Sequence, residues 1–195
     1  VYAEGNTFNG SNAMAFNLGT GTALEEKNNI DNTKFLRNGT YYVASAQRLQ
    51  EAVDSTKSDI KIEFIGDLNG DVTIIQKQGV KITIDGAGHK FNGYFRVHSN
   101  SNHEASAAVT FKNINFETAK VLYDENNKPY FNFIEALDNG NGERYSTNIT
   151  VYNCTCTATG VAEYETVGLQ IKSSKWAKAE KCTANGLHSL VQAQS

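Results

Sequence analysis

The sequence predicts an all-β chain wound as a right-handed parallel β-helix, a solenoid, with a short α-helix capping its N-terminal side. Three observations predict it. First, four stretches superimpose: 80–85, 109–116, 149–156 and 177–184. Each alternates apolar with polar residues, and the last three share a two-residue break at the same place. Their matched starts, Ile82, Val109, Ile149 and Ala177, are 27, 40 and 28 residues apart, and a short strand recurring every twenty-odd residues is the mark of a solenoid. Second, the 16 glycines, the single proline and the abundance of Asn and Thr suit short strands joined by corners, where Asn and Gly accept left-handed backbone. Third, Ile82, Ile84, Val109, Phe111, Ile149 and Val151 share one face, while Thr83, Thr110 and Thr150 share the other. Stacked parallel strands turn such positions into columns. A jelly roll or sandwich is the alternative, but two-residue hairpin turns are not found at every corner.

Taken in order, residues 1–40 read as an irregular N-terminal wrap of short strands and loops, and residues 41–195 as the β-helix, one domain overall. Tyr41, Tyr42 and Val43 form a strand. Residues 45–54 form the capping helix, with Ser45 as N-cap and Ala46, Leu49, Ala52 and Val53 on one face. A solenoid needs its apolar end covered, which gives this helix its task. Strands follow at 60–65, 72–75 and 80–84, with 67–71 and 76–79 read as turns, then at 91–97 and 107–116. The 40-residue interval requires an insertion. The polar segment 123–130, with Pro129, and the turn 138–144 supply it. The last rungs end without an evident polar cap, so flanking domains of a longer chain are expected.

The net charge of −3 excludes a basic nucleic-acid footprint, and no run approaches the roughly 18 apolar residues that would span a bilayer. Cys154, Cys156 and Cys182 lack metal-ligand spacing. They read as small core residues stacked along the axis, a disulfide between rungs being the alternative. Val1 and Ala3 fit the third-last and last positions of a signal-peptidase site. With the polar composition, this places the protein outside the cell or on its surface.

The segment Thr83-Ile-Asp85-Gly-Ala-Gly88-His-Lys-Phe91 resembles an early rung of the pectate-lyase-like, single-stranded right-handed β-helix superfamily. The rungs 111–116 and 151–156 are similar to its later ones. The resemblance spans about residues 42–190 and implies a fold rather than an activity, because lyases, hydrolases, epimerases, tailspikes and adhesins share it. Lyases of this kind hold calcium in an aspartate cluster. Hydrolases place two carboxylates about 5 to 9 Å apart on neighbouring rungs. This chain has no Asp-Asp pair, Asn-Thr-Asp run, Gly-His-Gly turn or Arg-x-Lys strand, so no catalytic residue carries over.

Local chemistry is sparse. Glu135, Asp138, Glu143 and Arg144 cluster around one loop, most simply as a solvated turn. Asp67, Asp71 and Asp85 form a second acidic set. Calcium there is the one cofactor alternative, and it needs six to eight converging oxygens. His89, His98, His103 and His188 share no ligand spacing. Tyr123, Tyr130, Tyr145, Tyr152, Tyr164 and Trp176 lie in or beside the insertion and the late rungs, where flat rings with a polar tip suit sugars. The expected function is a secreted or cell-surface module that recognises a polysaccharide or other surface ligand without catalysis. Its expected contacts are Tyr130, Asp138, Arg144, Tyr152 and Trp176. One alternative is a lyase or glycoside hydrolase of acidic polysaccharides using Asp85, Glu135 and Asp138. Another is a structural stalk of a larger adhesin.

Overall fold

The computed structural model describes residues 2–8, 25–27, 30–31, 36–37, 39–77, 79–99, 108–117, 121–123, 126–127, 129–137, 147–159, 165–171 and 174–193. Most of the chain climbs through three parallel sheets in five coils. The first sheet stacks Ile60–Phe64, Ile82–Asp85, Val109–Lys112, Thr147–Tyr152 and Ser174–Glu180. The second stacks Leu68–Asn69, Lys90–Asn92, Asn115–Glu117, Thr155–Thr157 and Thr183–Asn185. The third stacks Val72–Gln76, Phe95–Ser99, Pro129–Leu137, Glu165–Ile171 and Ser189–Ala193. This is the parallel β-helix that the repeat predicts, and right-handed crossover is the sense that L-residue strands favour.

Alternation within each strand sorts the side chains. In the first sheet Ile60, Ile82, Val109, Ile149 and Ala177 align, as do Ile62, Ile84, Phe111, Val151 and Ala179. The second sheet aligns Leu68, Phe91, Phe116, Cys156 and Ala184. The third aligns Val72, Phe95, Ile134, Leu169 and Val191. From the first coil to the fourth these columns meet in one core, in which Phe91 stacks on Phe95 at 4.3 Å and Phe95 lies 4.7 Å from Phe111. Bulk falls along the axis: the second and third coils supply phenylalanines, the fourth Ile149, Val151, Cys156 and Leu169, and the fifth Ala177, Ala179 and Ala184. Cys154 and Cys156 are buried, Cys182 is half-buried, and all three are free thiols.

Two corners explain the glycines that the chain cannot replace. At Gly86 an added Cβ would lie 2.5 Å from the Asn113 carbonyl oxygen, and at Gly93 it would lie 2.1 Å from that of Gly70. Backbone of the neighbouring coil occupies the space in both cases.

The first coil is closed by the helix Ala46–Asp54, whose Leu49, Ala52 and Val53 are buried against the core. Ser45 Oγ accepts from the Arg48 amide at 3.2 Å. Gln50 reaches further. Its Oε1 accepts from Thr73 N and its Nε2 donates to Thr73 O, both at 2.8 Å. One side-chain amide thus substitutes for a neighbouring strand and satisfies an edge that would otherwise invite pairing.

Two expectations are corrected. Residues 67–71 are not simply a turn, because Leu68–Asn69 is the first strand of the second sheet. Only Leu68 is apolar there, and its burial in the column outweighs its polar neighbours. Residues 91–97 are two strands, because the chain turns from one sheet to the next at Gly93. Within residues 1–40 the described residues form short strands: Tyr2–Glu4 pairs in parallel with Glu25–Lys27, and Thr7–Phe8 with Ile30–Asp31. Leu36–Arg37 adds an antiparallel edge beside Thr40–Val43.

Replacing Phe95 by alanine is expected to cost about 3–5 kcal/mol in urea unfolding. Gln50→Ala is expected to cost about 1–3 kcal/mol, because it unpairs two backbone groups of Thr73.

Candidate functional site

The corner between the first and second sheets sets the geometry of the site. Asn113 and Asn153 hold left-handed backbone there, with φ of 53° and 51°, and Lys181 follows with 53°. Asparagine adopts this conformation more readily than most residues. The backbone ladder continues through the bend: Asn113 N donates to Tyr152 O at 3.1 Å, and Asn153 N to Glu180 O at 2.9 Å. The side chains form a ladder of their own. Asn153 Nδ2 donates to Asn113 Oδ1 at 2.8 Å, and Asn113 Nδ2 to Asp85 Oδ1 at 2.9 Å.

Beside this ladder lies the outer face of the first sheet. One outward column is Lys61, Thr83, Thr110, Thr150 and Lys178. The next is Glu63, Asp85, Lys112, Tyr152 and Glu180. From the second coil to the fifth, the charged groups of these columns pair with their neighbours. Lys112 Nζ lies 2.7 Å from Asp85 Oδ2, and Lys178 Nζ lies 3.0 Å from Glu180 Oε1. Lys181 Nζ donates to the Tyr152 hydroxyl at 2.8 Å and sits 5.1 Å from its ring centre. Tyr152 is thereby held in place and half-buried.

The third sheet differs. Residues 131–136 and 166–170 are buried throughout, so its outer side is covered at the third and fourth coils. Amides run along it: Asn132 Nδ2 donates to Gln170 Oε1, and Gln170 Nε2 to Gln192 Oε1 at 3.4 Å. Glu135 is 1% exposed and lies 3.8 Å from Arg96 Nε.

Among the residues expected to bind a ligand, Tyr152 lies on the open first-sheet face. Trp176 belongs to the strand beside it, its backbone paired with that of Asn148. Tyr130 is half-buried on the third sheet, between Leu122 and Glu165. The structure therefore does not bring Tyr130 and Tyr152 onto one face. Asp138 and Arg144 lie outside the described residues, as do Glu143, Tyr145, Tyr164 and His103. Among the alternative catalytic acids, Asp85 is on the first sheet and Glu135 on the third.

The acidic set is already engaged with the chain itself. Asp67 Oδ1 accepts from the Lys90 amide at 2.9 Å and Asp71 Oδ1 from the Tyr94 amide at 3.3 Å. The backbone bond from Lys90 chiefly holds Asp67 below the usual carboxylate range. Burial pushes Asp85 up. Hydrogen bonds from Lys112, Asn113 and the Ala87 amide outweigh it, leaving the carboxyl below its ordinary value. Among the described residues no three His, Cys, Asp or Glu side chains are placed to hold a metal, and no helix is long and apolar enough to cross a membrane. Burial pushes the Cys154 thiol up to about 12 and Cys156 higher still, so neither is a ready nucleophile at neutral pH. His98 is lowered by burial and by Arg96. His89 Nδ1 lies 3.5 Å from Asp67, and His188 Nδ1 accepts from the Thr166 amide at 3.1 Å.

No protein family, curated protein or solved structure matches the chain.

Sequence reading named Tyr152 and Asp85, which lie on the first-sheet face, but not Lys112 and Lys181, which engage them. The signal for Lys181 was its place in the column of corner asparagines, where a lysine interrupts the ladder.

The lowered Asp85 pKa has a defined consequence for stability. A carboxyl lowered in the folded state stabilises the protein above its unfolded pKa, about 3.9. That contribution is lost as pH falls through the folded value. In acid titrations followed by circular dichroism, Asp85→Asn should unfold with a shallower pH dependence below about pH 4 than the wild type.

Proposed function

We propose that the chain is a secreted or cell-surface β-helix module of the pectate-lyase-like kind that recognises a surface polysaccharide without catalysing a reaction. One observation supports this reading above the rest: the outer face of the first sheet, where Thr83, Thr110 and Thr150 rise in register beside Asp85, Lys112, Tyr152 and Glu180. Adjacent strands are about 4.8 Å apart, close to the advance of an extended glycan by one sugar. The second, third and fourth coils then each offer a threonine hydroxyl to one sugar of a chain lying across the strands, and the fourth adds the Tyr152 ring. Multiple weak, evenly spaced contacts suit a long repetitive ligand. Tyr152 supplies the flat surface on which a sugar ring stacks.

Asp85 is occupied by Lys112, Asn113 and Ala87, and its distance along the fold from Glu135 supports binding over acid–base catalysis.

Affinity electrophoresis against a panel of soluble polysaccharides tests the proposal. Wild type should be retarded by at least one of them, without turnover. Tyr152→Ala should lose about tenfold in affinity, as expected for one aromatic contact of about 1.4 kcal/mol, with an unchanged circular dichroism spectrum. Retardation by none of them, or release of unsaturated sugars absorbing in the ultraviolet, would overturn it.

A further inference from the structure

The first-sheet face also indicates which class of glycan it takes, an inference that rests on the binding role proposed above. From the second coil to the fifth, the cations described on this face and its corner are Lys112, Lys178 and Lys181. Lys112 is bound to Asp85 at 2.7 Å and Lys178 to Glu180 at 3.0 Å. Lys181 is committed to the hydroxyl and ring of Tyr152. The next cation around the corner, Lys90, is held by Glu117 at 2.9 Å.

From the second coil to the fifth, a uronate or sulfate on a passing glycan would meet no described lysine that lacks such a partner; Lys61 lies one coil below Thr83. To bind one, a lysine would have to leave a carboxylate already within contact distance. It would exchange one ion pair for another and leave Asp85, which is 19% exposed, without its counter-charge. Removing one partner from a partly buried pair is costly. The carboxylates of Asp85 and Glu180 would also repel an anionic chain. Thr83, Thr110, Thr150 and the Tyr152 ring ask for no charge in return. They offer hydroxyl hydrogen bonds and a stacking surface, which an uncharged pyranose can match.

We propose that the first-sheet face binds a neutral, extended polysaccharide, with Tyr152 and the threonine column as its contacts, and discriminates against uronic-acid polymers. The selectivity comes from lysines neutralised within the protein.

The test measures retardation of the wild-type chain by mannan, xylan and a mixed-linkage glucan, and by polygalacturonate and alginate, at low and at high ionic strength. Binding to at least one neutral polymer, more tightly than to either uronate and unchanged by salt, supports the proposal. Tighter binding to a uronate, weakening as salt is raised, would overturn it and leave the polysaccharide-binding role standing. Binding to none of them in either salt would remove the role and the selectivity together. Glu180→Gln gives an independent arm, because it releases Lys178 and leaves Tyr152 and the threonine column in place. This variant should gain salt-sensitive retardation by polygalacturonate that the wild type lacks. Failure to gain it, in a variant with a native circular dichroism spectrum, counts against the paired lysines as the source of selectivity.

Discussion

The fold depends on vertical register at the corner between the first two sheets. Three successive coils bend there on one left-handed residue each, Asn113, Asn153 and Lys181. Because all three bend at the same height, the backbone ladder passes from sheet to sheet without a break, and each side chain finds its equivalent above and below. A coil that bent one residue early would turn its inward set outward, since side chains alternate with a period of two. Isoleucine and phenylalanine would then face water while lysine and threonine faced the core. The asparagine ladder and the apolar columns therefore specify the same alignment independently, and such agreement between local and global preference favours a single fold.

Much of this was legible in the residues. The strand–Asn–strand pattern at 109–116 and 149–156 carries both the alternation and the bend. Ser45 with Leu49, Ala52 and Val53 announces the helix and the end it covers. Other features left weaker traces. A strand as short as Leu68–Asn69 has no period to detect, and only its place opposite Phe91 makes it a strand. The bend at Gly93 was hidden because the residues on both sides, Phe91 and Phe95, are apolar and face one core. Gln50 gave no sign of its role, because its partner is backbone 23 residues away.

The site was partly readable for a similar reason. Tyr152 could be placed because its position in a rung fixes the face it occupies. Tyr130 could not, because its strand departs from the repeat: an antiparallel segment, Val121–Tyr123, pairs beside it within the insertion. Glu135 shows the limit of pattern alone. Alternation puts it opposite Arg96 and Gln170 on the outward side of the third sheet, yet that side is covered, and an acid that looks solvated in sequence is buried. Outward and exposed are separate properties, and Glu135 has the first without the second.

The decline in side-chain bulk along the axis has a mechanical corollary. Early coils share interlocked phenylalanine rings, whereas the fifth contributes Ala177, Ala179 and Ala184 to the same columns. Buried apolar area, and with it the free energy of adding a coil, falls in that direction. In a quasi-one-dimensional array each layer is held mainly by its neighbours. The gradient therefore makes the molecule yield like a zip with unequal teeth, the fifth coil loosening under heat or pull before the aromatic layers beneath the helix.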